Sequence, residues 1–582
     1  MNSSLSSRSK SFLAALHRQT GGLCFGWVFL GALAVYLPTA ANTVQEADAG
    51  QFLSLGAACL KSSWPVAHSP GYPIETAISC GAAWLAKVAP LIPSALWLAW
   101  ASAIFTAFAA GLAHSALTRL KLASPIEALL AVAVVFLSRD VWRVATTQEP
   151  LALGILTLTA ALFLPPLAIQ ATDQKKSRWL WLGSGAAFGL GFANHHTTAI
   201  ALPGAMWCLW RAYRDQKTSR SFINFIFGAL IGASPAALIL FRTLNPQEFS
   251  GTFAAGPLPA FDWITTTTNP FRYLLRMDFG IFSLSQSKAV ANEINDSALF
   301  LFISDLPKNL GWIWIISAIQ GIFTLRHHRN SATALYAAML TAAIFLLLNR
   351  FGSSPNFIDI IRRFHPFVLL TILPFMAAGL SDIVRHLSSL EFTLSLLFKR
   401  FFVLALATLV VGQAMATLPE ARRDYRTFPE QHFIRALNLP PPGSLVVVAS
   451  DEEIFGLSYA QVALGIRPDI RILNLLEWGQ PDKRPHVLAR IGIDPNSMLH
   501  LNRGELIGIL ATHEALWILD APIPPRPDYL AAAPCVGPYL ILDLRKSRES
   551  HANLPLIPHK NSKPWFATDQ GLLDKYTSCT KI

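Results

Sequence analysis

Long apolar runs alternate with short polar segments over most of the chain. A helix needs about 20 apolar residues to cross the roughly 30 Å of bilayer hydrocarbon, because each residue rises about 1.5 Å. We interpret eleven runs as crossings, at about 22–41, 91–116, 125–137, 151–169, 179–192, 197–210, 222–241, 309–325, 332–348, 367–380 and 401–418. The pattern predicts a mainly α, polytopic transmembrane helical bundle over residues 22–418.

The first run follows Arg8, Lys10 and Arg18. We favour an uncleaved anchor over a signal peptide, because the run is long and ends without a convincing small-residue cleavage site. This interpretation makes residues 1–21 a cytoplasmic N-terminal segment and places the loop after the first run on the outer face.

Basic clusters between the runs support this orientation. Clusters such as Arg119 with Lys121, and Lys175 with Lys176, fall on the predicted inner side, as the positive-inside rule requires. The net charge is +12, but no basic stripe with interleaved aromatic residues indicates a nucleic-acid partner. With 52% hydrophobic residues, 14% charged residues and a mean hydropathy of +0.40, the chain is expected in a lipid bilayer.

The composition changes at about Pro419 to that of a soluble domain. Four apolar runs of strand length are at 444–450, 470–473, 515–519 and 539–542, and a helical stretch at 456–464 separates the first two. These runs predict an α/β domain over residues 419–582. An odd number of crossings places this domain on the outer, extracytoplasmic face.

Two outer loops are long, at 42–90 and 242–308, and the first carries candidate chemistry. A carboxylate at the mouth of a membrane bundle is costly to bury, so Asp48 and Glu46 are candidates for a general base. A solvated acidic loop is the alternative. His68 and Tyr72 belong to a Pro-Gly-Tyr-Pro corner in which proline fixes φ and glycine permits reversal, so the two side chains are expected to be held stiffly for substrate.

Two further outer tips carry polar residues. Arg143 and Glu149 either line the same cavity or anchor a helix end at the interface. Asn194, His195 and His196 are polar in an otherwise apolar hairpin, and we expect hydrogen bonding to a sugar or phosphate. Adjacent histidines on a helix point about 100° apart, so joint ligation of one metal is not expected.

A fourth tip contains Arg362 and Arg363. Guanidinium groups bind phosphate through a fork of N–H donors, so this pair suits a lipid phosphate or pyrophosphate; anchoring to lipid headgroups is the alternative. No metal site is predicted. A divalent cation as cofactor stays open, because carboxylate spacing does not separate a base from a ligand.

The six cysteines lack the close spacing of a zinc or iron–sulfur site. Cys59 with Cys80, and Cys535 with Cys579, are candidate disulfides if their side of the membrane is oxidising. The sequence does not decide whether either forms.

With these residues in place, the chain resembles the protein O-mannosyltransferase-like membrane family of the GT-C glycosyltransferase superfamily. The resemblance is carried by Asp48-Ala49-Gly50-Gln51-Phe52, His68-Ser69-Pro70-Gly71-Tyr72-Pro73, Trp142 with Glu149, Asn194-His195-His196, Arg363-Phe364-His365-Pro366, Asp451, Tyr459-Ala460-Gln461 and Gly465-Ile466-Arg467-Pro468-Asp469-Ile470. One position departs from the family pattern, because Gln51 stands where an acidic residue is usual. Glu46 is the candidate to take over part of that role.

The resemblance implies a GT-C-like fold and inverting transfer of a sugar, with mannose as the candidate, from a polyprenyl-phosphate-linked donor to a hydroxyl acceptor on a protein or glycan. It implies that Asp48 is the general base and that His68, His195, Arg362 and Arg363 hold the donor phosphate or balance charge on the leaving group. The expected location is the extracytoplasmic face of a bacterial inner (plasma) membrane.

Two other functions are compatible with the same features. A transporter or flippase for a lipid-linked glycan would use Asp48 and Glu149 for coupling, although no inverted repeat is evident. The second alternative is a catalytically degenerate family member that only binds glycans, because Gln51 stands where an acidic residue is usual.

Overall fold

The computed structural model describes residues 24–45, 48–60, 67, 71–216, 219–244, 296–326, 329–351, 355–389, 395–422, 428–438, 440–448, 451–479, 484–494, 496–502, 505–507, 509–510, 516–519 and 541–543. Their contacts divide into two units. The helical unit comprises 1–40, 99–238 and 275–424, and the α/β unit comprises 41–98, 239–274 and 425–582.

Helices dominate the described residues. They are α1 Cys24–Thr39, α2 Ala49–Cys59, α3 Pro73–Val88, α4 Ser94–Arg119, α5 Pro125–Phe136, α6 Arg139–Ala145, α7 Leu151–Gln170, α8 Gln174–Asn194, α9 Leu202–Gln216, α10 Arg220–Ala233, α11 Ala236–Leu244, α12 Ala298–Leu310, α13 Trp312–Leu325, α14 Arg329–Leu348, α15 Pro355–Arg362, α16 His365–Ser389, α17 Ser395–Ala421, α18 Phe428–Asn438, α19 Asp451–Val462, α20 Leu475–Trp478 and α21 Arg484–Arg490. A 3-10 helix, His196–Ala201, joins α8 to α9.

Apolar spans confirm the helical membrane fold. Among the described residues, four stretches are long and apolar enough to cross a bilayer: Ser94–Arg119, Leu151–Gln170, Ile360–Leu387 and Arg400–Ala421. The bent pair α12 and α13 would make a fifth. The other apolar helices fall below full spanning length, so the count of eleven crossings stays a prediction.

Glycines let helices of the helical unit pack closely. A Cβ atom added to Gly185 or Gly189 of α8 would collide with the backbone of α10, and one added to Gly228 or Gly232 of α10 would collide with α8. Small residues four apart on both helices permit such backbone contact, which replaces the missing hydrophobic driving force in lipid.

One predicted crossing begins at a different residue. A crossing was expected from about Asn309, but the chain turns by 114° between α12 and α13. Gly311, with φ +81°, occupies the turn, in a conformation that side-chain-bearing residues rarely adopt. The helix Ala298–Leu310 was predicted as outer loop, because Ser304, Asp305 and Lys308 interrupt its apolar pattern.

The α/β unit contains a four-stranded sheet with strand order β4-β3-β5-β6. Its strands are β3 Leu445–Val448, β4 Arg471–Asn474, β5 Leu516–Leu519 and β6 Ile541–Asp543. The first two strands of the chain, β1 Asp296–Ser297 and β2 Arg350–Phe351, form a separate antiparallel pair in the helical unit. β3 is parallel to β4 and β5, and β6 is antiparallel to β5. All four predicted strands are present, which confirms the predicted α/β character.

Alternation along the central strand explains how both faces of the sheet are covered. Val446 and Val448 join a core with Phe455 of α19, whereas Leu445 and Val447 join a second core with Trp478. Successive side chains on a strand point to opposite faces, so a run of apolar residues is buried on both sides.

Candidate functional site

Asp48 immediately precedes α2 in the α/β unit. Its side chain is partly buried and makes no capping hydrogen bond to the first amides of α2. The carboxylate therefore does not serve simply as a helix cap. Glu46 and His68, the other candidates of this loop, lie outside the described residues.

A close contact with α19 fixes the position of α2. A Cβ atom on Gly50 would lie 2.6 Å from the carbonyl carbon of Phe455 and 2.8 Å from the backbone nitrogen of Gly456. Only glycine allows the helices to approach this closely. Gln51, the departure from the family pattern, is fully buried in α2, and Asp48 lies two residues before the contact.

The predicted corner is visible at its last residues. Gly71 and Tyr72 both have positive φ, 98° and 43°, and Pro73 begins α3. A tyrosine in the left-handed region is uncommon and costs roughly 1–3 kcal/mol, so packing must hold it there. The Tyr72 ring is buried and meets the Phe52 ring edge-on at 5.5 Å.

A disulfide joins the same two helices. Cys59 at the end of α2 is bonded to Cys80 in α3, with Cα atoms 5.7 Å apart. This is one of the two pairs considered from the sequence; Cys535 and Cys579 lie outside the described residues. The segment that carries Asp48 and Tyr72 is thus tied both to α3 and to α19.

In the helical unit, Glu149 and Arg363 approach each other. The Arg363 Nε atom is 4.0 Å from Glu149 Oε1, and the glutamate is 5% exposed. The Asn194 amide donates a 2.8 Å hydrogen bond to the carbonyl of Pro150, next to Glu149. The structure therefore brings three predicted segments together at this point.

His195 completes this cluster. Its ring stacks on Phe367 at 6.1 Å and lies 5.6 Å from the Phe364 ring. The backbone N–H of Thr197 donates to His195 Nδ1 at 3.4 Å. His196 is half-buried and stacks on Phe192 at 5.3 Å.

Arg362 points to a different carboxylate from Arg363. It donates to Asp305 through Nε at 2.7 Å and through a terminal nitrogen at 3.3 Å. Asp305 is buried and also lies 3.5 Å from the Lys308 ammonium and 3.8 Å from the Arg139 guanidinium. The two arginines thus do not form one fork, and Arg143 is half-buried on α6.

A second buried carboxylate, Asp140, was not among the predicted site residues. It accepts hydrogen bonds from Arg139 Nε at 3.0 Å and from Asn309 Nδ2 at 2.9 Å, and it lies 3.0 Å from His365 Nδ1. Burial raises the pKa of Asp140, but the bond to His365 and the charge of Arg139 outweigh it and lower this pKa to about 2. Asp140 is therefore ionised at neutral pH.

Sequence reasoning missed Asp140 and Asp305 because their partners are distant in the chain. The separations are 225 residues for Asp140 with His365 and 57 for Asp305 with Arg362. Acidic residues beside predicted crossings were the available signal. In the part of the chain that the structure describes, no group of three or more His, Cys, Asp or Glu side chains could hold a metal ion.

These features define a polytopic helical membrane protein with buried ion pairs and an α/β unit. Residues 48–219 match the family model described as "Protein O-mannosyl-transferase TMEM260 N-terminal domain". This match confirms the resemblance to the O-mannosyltransferase-like membrane family, and it covers Asp48, Glu149 and His195 but not Arg363.

The search of solved structures found a likeness to the crystal structure of ArnT from Cupriavidus metallidurans bound to undecaprenyl phosphate. The TM-score is 0.47 and the sequence identity 12%, over 86% of this chain and 93% of that one. The search of the curated proteins found no match.

Proposed function

We propose that the protein is a GT-C-type glycosyltransferase that moves a sugar from a polyprenyl-phosphate donor to a hydroxyl group of a protein or glycan. The match over residues 48–219 supports this class of activity. The observation that carries the proposal is the placement of Asp48, which is partly buried at the start of α2 and lies within the matched residues.

The reaction is a single displacement. The acceptor oxygen attacks the anomeric carbon, its proton passes to the Asp48 carboxylate, and the bond from the anomeric carbon to the phosphate oxygen breaks. The products are the glycosylated acceptor and polyprenyl phosphate, and the configuration at the anomeric carbon inverts. Mannose is the first sugar to test.

Donor binding falls to the helical unit. Arg363 and His195 lie in the cluster around Glu149, with Arg363 Nε 4.0 Å from Glu149 Oε1 and the His195 ring 5.6 Å from the Phe364 ring. A guanidinium presents a fork of N–H donors that matches phosphate oxygens, so Arg363 is the preferred ligand of the donor phosphate. Arg362 donates a 2.7 Å hydrogen bond to Asp305, so its role in this proposal is to support the site rather than to bind phosphate.

The disulfide supports an extracytoplasmic site. Bonded cysteines persist in oxidising compartments, so Cys59 and Cys80 favour the outer face for the segment that carries Asp48. The N-terminus would then be cytoplasmic and the α/β unit extracytoplasmic, in a bacterial inner membrane. A reporter fused after Leu418 tests this orientation, and a cytoplasmic signal would contradict it.

Replacement of the base tests the chemistry. Asp48→Asn keeps the shape of the side chain but cannot accept the proton, so transfer of labelled sugar should fall at least about 100-fold. Asp48→Glu should retain partial activity, and Asp494→Asn, an exposed site in the α/β unit, should retain all of it. Full transfer by Asp48→Asn would exclude the general-base role.

A further inference from the structure

His365 begins α16 with one ring nitrogen bonded and the other not. Its side chain is fully buried, and Nδ1 lies 3.0 Å from Asp140 Oδ2. In the described part of the chain, Nε2 has no hydrogen-bond partner. Burying a polar atom without a hydrogen-bond partner is unfavourable, so the position of Nε2 calls for an explanation.

Asp140 fixes the orientation of the ring. Because its carboxylate is ionised, it accepts this hydrogen bond and His365 Nδ1 donates it. Asn309 makes two hydrogen bonds to Asp140. Its side-chain amide nitrogen donates to Asp140 Oδ2 at 2.9 Å, and its side-chain oxygen accepts from the Asp140 backbone N–H at 3.3 Å. The Phe302 ring meets His365 edge-on at 5.1 Å. The imidazole therefore has little freedom to turn its second nitrogen elsewhere.

The surroundings of His365 are suited to an anion. Arg362 and Arg363 lie three and two residues before it, and the intervening Phe364 lies against His195, which is part of the proposed donor cluster. The carboxylates facing this region, Asp140, Asp305 and Glu149, are each already opposed by an arginine. A further hydrogen-bond donor in such a place fits a phosphate oxygen better than a cation.

We propose that His365 Nε2 donates a hydrogen bond to a phosphate oxygen of the lipid-phosphate donor and to the same oxygen in the departing polyprenyl phosphate. This inference rests on the proposed function and adds a catalytic residue to it. His365 transfers no proton. In this proposal both ring nitrogens carry protons, with Nδ1–H directed at Asp140 and Nε2–H at the phosphate. The imidazolium stabilises negative charge on the leaving phosphate, while the Asp140 carboxylate balances the positive charge of the ring.

Two amide substitutions separate the ring nitrogens. In His365→Asn the amide nitrogen replaces Nδ1, so the bond to Asp140 persists but no atom remains at the position of Nε2. In His365→Gln the longer side chain places its amide near Nε2 and gives up the bond to Asp140. A purely structural histidine would tolerate the first change better, whereas a phosphate ligand would tolerate the second better.

Binding is measured on the purified full-length protein in detergent, with decaprenyl phosphate, decaprenol and inorganic phosphate as probes. We expect His365→Asn to weaken decaprenyl phosphate binding at least about 10-fold, to leave decaprenol binding unchanged, and to retain the wild-type melting temperature within a few degrees. His365→Gln should bind decaprenyl phosphate more tightly than His365→Asn. If inorganic phosphate competes equally with decaprenyl phosphate, the site takes free phosphate and the lipid assignment is wrong.

The binding assay is independent of sugar transfer. If the wild-type protein binds decaprenyl phosphate through His365 but transfers no sugar, the proposed function fails and the phosphate site stands. Wild-type affinity in His365→Asn overturns the phosphate site, whatever the transfer activity. Should His365→Asn fail to fold, Asp140→Ala is the second test, because loss of that carboxylate should misorient the ring and weaken binding. Affinity of Asp140→Ala for decaprenyl phosphate equal to or above that of wild type would overturn the phosphate site as well.

Discussion

Gly50 lies against the backbone of α19, and an added methyl group there should displace the helix that carries Asp48. In Gly50→Ala the new Cβ would be 2.6 Å from both the carbonyl carbon and the oxygen of Phe455. These are backbone atoms of a helix and cannot rotate away. Ordinary contact begins near 3.4 Å, so the helices must separate by about 0.8 Å.

The energetic cost follows from two opposing effects. Overpacking a well-packed interface typically costs about 1–3 kcal/mol. Alanine in place of a helical glycine returns about 0.5–1 kcal/mol through helix propensity. The expected net destabilisation of Gly50→Ala is therefore on the order of 1–2 kcal/mol.

Gly81 in α3 provides the matched control. A Cβ there meets nothing within 4 Å, so Gly81→Ala has the propensity gain without the clash and should be neutral or stabilising by up to about 1 kcal/mol. Thermal unfolding of both variants in the same detergent measures the difference. Gly50→Ala should lower the melting temperature, whereas Gly81→Ala should leave it unchanged or raise it.

The displacement also has a functional consequence. Asp48 is two residues from Gly50, and a misplacement near 1 Å of a catalytic group can cost about 100-fold in rate. We expect Gly50→Ala to lower kcat for sugar transfer with little change in KM, and Gly81→Ala to retain wild-type kinetics. Equal melting temperatures and equal kcat values for the two variants would refute the packing account.

The remaining predictions concern the buried ion pairs of the helical unit. Arg363→Gln should weaken lipid-phosphate binding, whereas Arg362→Gln should mainly lower the melting temperature, because Asp305 is left buried with fewer partners; weaker lipid-phosphate binding in Arg362→Gln but not in Arg363→Gln would exchange the two roles. Asp140 has a folded-state pKa of about 2, below its unfolded value, so it stabilises the fold above about pH 4 by on the order of 2 kcal/mol and loses this as pH falls towards 2. Melting temperatures between pH 6 and pH 3 should therefore fall more steeply for wild type than for Asp140→Asn, and parallel curves would contradict the assignment.

Local patterns predicted the elements well. The strand Leu445–Val448 and the other three strands of its sheet were expected as short apolar runs, and the spans Ser94–Arg119 and Leu151–Gln170 as long ones. These predictions succeed because burial of consecutive apolar side chains depends on sequence neighbours. The helix Ala298–Leu310 was not predicted because its charged residues interrupt the apolar pattern. These residues form ion pairs within the fold, and the local sequence does not show such pairing.

The sequence identified residues of the candidate site but not which of these residues contact one another. Glu149 and Arg363 were both chosen, and the structure brings them together at 4.0 Å. Arg362 was expected to act with Arg363, yet its Nε atom donates a 2.7 Å hydrogen bond to Asp305. Such pairings join segments far apart in the chain, and one sequence gives no information about which charges meet. Whether Asp48 acts with this cluster stays a prediction.

Sugar transfer by the purified protein in liposomes tests the central claim most directly. The protein is supplied with a polyprenyl-phosphate sugar labelled in the sugar, or with the matching nucleotide sugar, together with candidate acceptors. We predict that label passes from the lipid to the acceptor with release of polyprenyl phosphate, that the nucleotide sugar does not replace it, and that Asp48→Asn abolishes transfer. Label that crosses the bilayer while still attached to lipid, with no acceptor product, would identify a flippase and contradict the account.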